Sequence, residues 1–209
     1  YFVMNRICDA CYSREQSEKI IDKPKQTTSD NDIAHRDWFL IDIDSKRPAG
    51  VSATEEERTA SKEIANGVYQ FLKGVGFWEP VCCDSGNGYH LLYKIDFENT
   101  PQVTKLLKDV LEVLNMLYST NQAEIDTKVF NPGRITKRYG TIACKGSSTQ
   151  ERPHRESKII RVPPEIKPTG KECFETLAAL LPKPEQKSYD AYTKRPFDLR
   201  EWLSRHDIP

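Results

Sequence analysis

Asp42 and Asp44 stand two residues apart at the end of the apolar run Trp38-Phe39-Leu40-Ile41. A short run rich in aromatic and β-branched residues that stops at polar sequence predicts a buried strand over 38–44. Strand side chains alternate, so both carboxylates point to one face, one pleat apart. Carboxylates held that close repel unless a cation sits between them or one takes a proton. Mg²⁺ and Mn²⁺ prefer oxygen ligands, and Mg²⁺ is commonly held by one or two carboxylates plus the phosphates of a substrate. The pair points to metal-dependent phosphoryl or nucleotidyl chemistry, although an acidic pair in a solvated loop is spelled the same way.

The second segment that can do chemistry is Asp84-Ser85-Gly86-Asn87-Gly88-Tyr89-His90. Glycines at 86 and 88 let backbone N–H groups approach a phosphate, Ser85 and Asn87 add short polar groups, and His90 is close enough to reach the same anion. A tight hairpin turn built of Ser, Gly, Asn and Gly needs no ligand, so both readings stand. The third segment is Asp126 and the basic stretch after it, Arg134, Lys137, Arg138, Lys145, Arg152, Arg155, Lys158 and Arg161, set against Glu151 and Glu156. Asp126 offers a third carboxylate for a two-cation site. Arg134, Lys137, Lys145, His154 and Arg155 can neutralise triphosphate charge or grip a template backbone.

These residues need elements to position them. Tyr1 to Asn5 reads as a strand, and the polar residues 22–37 as a loop feeding the strand at 38–44. Thr54-x-x-Glu57 is a capping box that opens a helix with Ala60, Ile64, Val68, Phe71 and Leu72 at helical spacing, ended by Gly74 and Gly76. Val81–Asp84 and Tyr89–Asp96 read as hairpin strands. Pro101 opens a second helix with the stripe Val103, Leu106, Leu107, Val110, Val113, Leu114 and Leu117. Tyr139–Cys144 and Ser157–Val162 are further strand candidates. A Pro-rich linker from 163 and a short helix around Cys173–Leu181 follow, then a Lys-, Pro- and Ser-rich tail from Pro182 expected to be poorly ordered. The alternation predicts an α+β or α/β core over 1–162, with 163–209 as a linker and short helical segment.

The whole-chain figures set bounds. With 209 residues, 37% hydrophobic and 30% charged, the chain fits one domain with a short appendage. A formal net charge of zero argues against coating nucleic acid by bulk charge. The contrast between the acid-rich stretch around Asp42 and the basic one from Arg134 suits a place where metal and polyanion meet. No apolar run approaches the roughly 18 residues of a membrane span, and no signal-peptide pattern is present. Beginning at Tyr1 and closing just after the amphipathic stretch Phe197–Leu203, the chain reads as part of a longer polypeptide. Cys8-x-x-Cys11 has the spacing of half a zinc site or a redox pair, but the adjacent Cys82 and Cys83 make a poor second half, so reduced structural thiols are the simpler reading.

In this order the segments resemble the archaeo-eukaryotic primase superfamily, and within it the prokaryotic primase-polymerases of CRISPR-associated and mobile-element type. The family signature is a strand ending in DxD, a Ser-x-His-type element on a second strand and a single Asp on a third, matched here by Asp42/Asp44, Ser85 to His90, and Asp126. Further similar phrases are Arg47-Pro48-Ala49-Gly50-Val51-Ser52-Ala53-Thr54, Asn131-Pro132-x-Arg134-Ile135-x-Lys137, Tyr139-Gly140-Thr141, Lys145-Gly146 and Glu151-Arg152-Pro153-His154-Arg155. The likeness covers about 1–162 and departs at Cys8-Asp9-Ala10-Cys11, where relatives carry Asn- and Pro-containing text.

The resemblance implies an RRM-like catalytic core, a mixed sheet flanked by helices, with DNA primase and polymerase activity. It implies that Asp42, Asp44 and Asp126 bind two Mg²⁺ or Mn²⁺ ions, with His90 at the catalytic centre. Ser85, Gly86, Asn87, Gly88 and His90 would hold the phosphates of a dNTP or NTP, helped by Lys137, Lys145 and His154 or Arg155. Arg47, Arg134 and Arg138 would contact nucleotide or DNA. Implied partners are a single-stranded DNA template and primer, within a larger polypeptide working beside a helicase or CRISPR-adaptation enzyme, in a cytoplasmic, nucleoid-associated setting. Two other classes fit parts of the sequence: a DxD glycosyltransferase using Mn²⁺, and an inert RRM-like binder stacking bases on Tyr89, Tyr93 and Tyr139.

Overall fold

The structure, a computed structural model, describes residues 1–14, 22, 23, 25–182, 202, 205 and 206. The expected tail, with the stretch Phe197–Leu203, therefore lies outside the described residues from 183 on, apart from Trp202, Arg205 and His206.

The central strand β3 runs Ile33–Ser45. It starts five residues earlier than the apolar run suggests, because Arg36 and Asp37 look like loop residues yet are buried. Arg36 donates to the Phe130 carbonyl at 2.7 Å, and Asp37 takes the backbone N–H of Arg6 at 2.9 Å and Lys94 Nζ at 3.1 Å. The expected strand at 1–5 is two short pieces, β1 at Phe2–Val3 and β2 at Arg6–Ile7. The hairpin is as expected: β4 is Val81–Asp84 and β5 is Gly88–Glu98.

Helix α1, Glu55–Gly74, begins at the Thr54–Glu57 capping box, whose two reciprocal bonds are both made. Helix α2 is Pro101–Tyr118, with Thr100 capping Val103 N–H. Its buried stripe adds Leu111, and Leu117, expected in it, is exposed because it falls on the outer side of the last turn. Shorter elements complete the chain: β6 Ala123–Ile125, β7 Ile135–Thr136, β8 Ile142–Ala143, β9 Arg155–Glu156, β10 Lys158–Arg161 and α3 Lys171–Ala178. The strand expected at 139–144 is thus reduced to β8, with Tyr139 ahead of it.

The class is α+β. The main sheet has the order β10-β4-β5-β3-β2, with β6 also on β3. Every pairing among the described residues is antiparallel, where the sequence reading held a mixed sheet. One face carries Phe39, Ile41, Ile43, Leu91, Tyr93, Ile95 and Phe97 into a core with Ile64, Val68 and Leu72 of α1 and Leu107, Leu111 and Leu114 of α2. Helix α3, beyond the expected boundary at 162, shares that core. Phe174 is fully buried edge-on to Phe39 at 5.2 Å and Phe97 at 5.3 Å, and tilted against Phe77 at 4.7 Å. With the helices on this face, the alternating residues of β3 and β5 are left for the other.

Candidate active site

Strand register assembles the site. On β3 and β5, Asp42 lies opposite His90, and on β5 and β4, His90 lies opposite Cys83. On the other side β3 pairs Ile43 with Ile125, and one step further Asp126 N–H reaches the Asp42 carbonyl at 2.9 Å. Residues opposite one another in an antiparallel pair share a face. Asp126, just past the end of β6, and Asp42, His90 and Cys83 on β3, β5 and β4 therefore form one row, with Asp44 one pleat along from Asp42 on the face away from the helices.

A cavity of about 330 Å³ opens on this row, lined by Asp42, Asp44, Ser85, Asn87, His90, Arg134, Lys137 and Lys145 together with Tyr1, Leu40, Ile135 and Thr136. Three cations and two carboxylates, far apart in sequence, thus share one hollow. His90 Nε2 lies 3.3 Å from Asp42 Oδ1, an ion-pair contact, and Asp42 Oδ1 is buried without a hydrogen-bond donor. Burial pushes the Asp42 carboxyl up, but the charges of His90, Arg134 and Lys145 outweigh it and hold the group below its ordinary range. Asp44 goes the other way, raised by burial and by Asp42. Burial alone would lower His90, and the Asp42 carboxylate turns the balance, so the imidazole is raised. Lys137 is lowered by burial and by Lys145. The hollow is a place where like charges strain one another, which a bound polyanion and cation together would relieve.

The other expected site residues are placed less directly. Asp126 is not in the lining: its Oδ2 lies 3.4 Å from Arg134 Nη2, and its Oδ1 takes Lys128 N–H at 2.8 Å. Among the described residues, the one group of three Cys, His or carboxylate ligand atoms lying within 4.8 Å of one another is Cys8, Cys11 and Asp32, so the three expected metal carboxylates are not gathered that closely. Asp32 in that group is already bound by Arg14 and Ser29. Arg47 reaches Asp44 Oδ1 at 3.5 Å, while its other bonds go to Ser45 and Val51. Arg155 donates to the Ala53 carbonyl at 2.6 Å, and His154 Nε2 sits 2.9 Å from the Gly146 carbonyl. Neither lines the cavity, and Arg138 is exposed outside it.

Within the turn, Ser85 Oγ accepts Gly88 N–H at 3.0 Å, and Asn87 Oδ1 accepts Ala53 N–H at 2.8 Å. Gly86 has φ +92°, and a Cβ there would lie 2.6 Å from the Ala143 Cβ. These four residues shape the cavity wall through internal contacts, with Lys137 Nζ donating to the Ser85 carbonyl at 3.2 Å.

Two residues carry more of the site than sequence reasoning gave them. Thr136 is buried in the lining, and Tyr139 places its hydroxyl 2.7 Å from His90 Nδ1. The sequence had marked Tyr139 only through the Tyr139-Gly140-Thr141 phrase and as a stacking aromatic, and it gave no sign of a bond to His90. Tyr93 is buried and edge-on to Phe77, and Tyr89 lies beneath the Arg58 guanidinium, so neither is an open stacking platform.

No protein-family model matches the chain, and no curated protein matches it. Among solved structures it is similar to one described as the AEP domain of the cyanophage S-2L primase-polymerase, at 13% sequence identity and a TM-score of 0.40, over 74% of this chain and 64% of that one. The chain spans less than two thirds of that structure's length. No helix among the described residues is long and apolar enough to cross a membrane.

Proposed function

We propose that this chain is a template-dependent nucleotidyl transferase with DNA primase and DNA polymerase activity. The observation that carries the reading is that Asp42, Asp44 and His90 face a hollow walled by Arg134, Lys137 and Lys145, with Asp126 next to Asp42 in the strand register. The reaction joins a primer 3′-oxygen to the α-phosphorus of a nucleoside triphosphate and releases pyrophosphate. Arg134, Lys137 and Lys145 take up the triphosphate charge, and His90 donates from Nε2 to a phosphate oxygen. The two lining carboxylates fit a divalent cation: Asp42 Oδ1 is met only by His90 Nε2 at 3.3 Å, and Asp44 carries the repulsion of its neighbour. Asp42 and Asp44 would hold Mg²⁺ or Mn²⁺, and Asp126, now paired with Arg134, would be the third ligand. Such ions, if held there, would supply activation of the attacking hydroxyl and neutralisation of the leaving pyrophosphate.

An inert RRM-like binder is less well supported, because Tyr93 is buried and Tyr139 is bonded to His90. Primer extension with dNTPs and Mg²⁺ or Mn²⁺ tests the proposal, alongside synthesis on unprimed single strands. The expected outcome is incorporation by the wild type and none by an Asp42→Ala/Asp44→Ala variant that keeps its fold. Nucleic-acid binding without incorporation under either metal would sink it.

A further inference from the structure

We infer that Tyr139 is a positioning residue that fixes the His90 ring so that Nε2, and not Nδ1, is presented to Asp42 and the ligand cavity. This rests on the proposed role of His90 at a phosphate. The Tyr139 hydroxyl is 2.7 Å from His90 Nδ1, and the two rings meet edge to face, centroids 5.8 Å apart at 70°. The opposite ring nitrogen, Nε2, faces Asp42 at 3.3 Å. An imidazole engaged at both nitrogens cannot turn over without breaking both contacts, and His90 is buried, so water offers no replacement.

The phenol suits this task because its O–H can donate to a ring nitrogen. The Asp42 carboxylate only accepts and so favours a proton on Nε2, and the Tyr139 hydroxyl donates to the bare Nδ1 on the other side. The proton-bearing Nε2 then faces the cavity. A second group that settles which imidazole nitrogen does the work is the logic of outer-shell partners around functional histidines. Geometry separates this from simple packing. Tyr139 is 49 residues from His90 in sequence and sits just past β7, whose Thr136 and the following Lys137 line the same cavity. The segment that brings the cation Lys137 also brings the group that orients the histidine, so ligand charge and ring orientation are set together.

Tyr139→Phe keeps the ring and removes the hydroxyl. The expected result is a roughly tenfold rise in the KM for dATP on a primed template, about the loss of one buried hydrogen bond, with kcat changed less than twofold. In a His90→Ala background the same change should add nothing, giving a strongly non-additive cycle. Long-range ¹H–¹⁵N spectra of histidine-labelled protein, with His90 assigned by its absence in His90→Ala, should show one protonation pattern in the wild type and mixed tautomers in Tyr139→Phe. An unchanged His90 spectrum, or an equal loss of dATP affinity with and without His90, would overturn the inference. If His90→Ala leaves dATP binding intact while Tyr139→Phe still mixes the tautomers, the positioning role stands and only the phosphate role of His90 fails.

Discussion

Gly88 has no side chain because the backbone of β3 fills the place where one would go. A Cβ there would lie 2.2 Å from the Ile43 carbonyl oxygen, an atom fixed in the sheet. Gly88→Ala should therefore destabilise the fold by about 2–4 kcal/mol, read from urea unfolding, through forced displacement of a central strand. A loss below about 1 kcal/mol would show that β3 yields easily. The Ser-Gly-Asn-Gly text made the turn legible, but its glycines answer to Ile43 and Ala143 and its Asn87 amide to Ala53. Those partners lie far along the chain, so phosphate approach and self-packing could not be separated from spelling alone. The DxD pair was legible for the opposite reason, since alternation along one strand is a local rule.

Helix α1 shows how much an element reveals by itself. Its capping box and apolar stripe are local and were readable, but Glu57 has a second partner that no periodicity shows. Arg152 meets both Glu57 oxygens at 2.9 Å and the Ser52 carbonyl at 2.8 Å, tying the basic stretch to the start of the helix. One member of the basic stretch is therefore a structural clasp. The Arg152 bond, with the Thr54 N–H, outweighs burial and holds the Glu57 carboxyl below its ordinary value. A depressed folded pKa gives stability that is present above the unfolded value and is lost as pH falls through the folded one. Glu57→Gln should lower Tm at pH 7, and the gap from wild type should narrow as the pH falls below the ordinary glutamate value of about 4.3. Thermal melts at pH 7 and pH 3 check this, and a gap independent of pH would count against it. Removing only the cap, Thr54→Ala, should cost about 1 kcal/mol by urea unfolding, and no change would mean that α1 is held by packing alone.

At the scale of the molecule, helix α3 closes the core although it follows a proline-rich stretch that reads as a linker. Its Phe174 meets aromatic rings from β3, β5 and the loop after α1, contacts that only the folded sheet brings together. Phe174→Ala should cost about 3–5 kcal/mol in urea unfolding. A chain stopped at residue 162 should melt well below one stopped at 182, and equal melting points would place α3 outside the folding unit. Zero net charge hides the cationic wall as well. With Arg134, Lys137 and Lys145 meeting a single strand, log affinity should fall with log salt at a slope of about −2, while a flat response would remove them from the interface. The row across the sheet has one more consequence, which concerns synthesis. Asp42, His90 and Asp126 all precede Arg134, Lys137 and Lys145, and β10, which pairs with β4, comes later still. On a ribosome adding roughly 5–20 residues per second, both lining carboxylates are translated before Arg134, Lys137 and Lys145. The cationic wall of the hollow is thus the last part of its lining to be made.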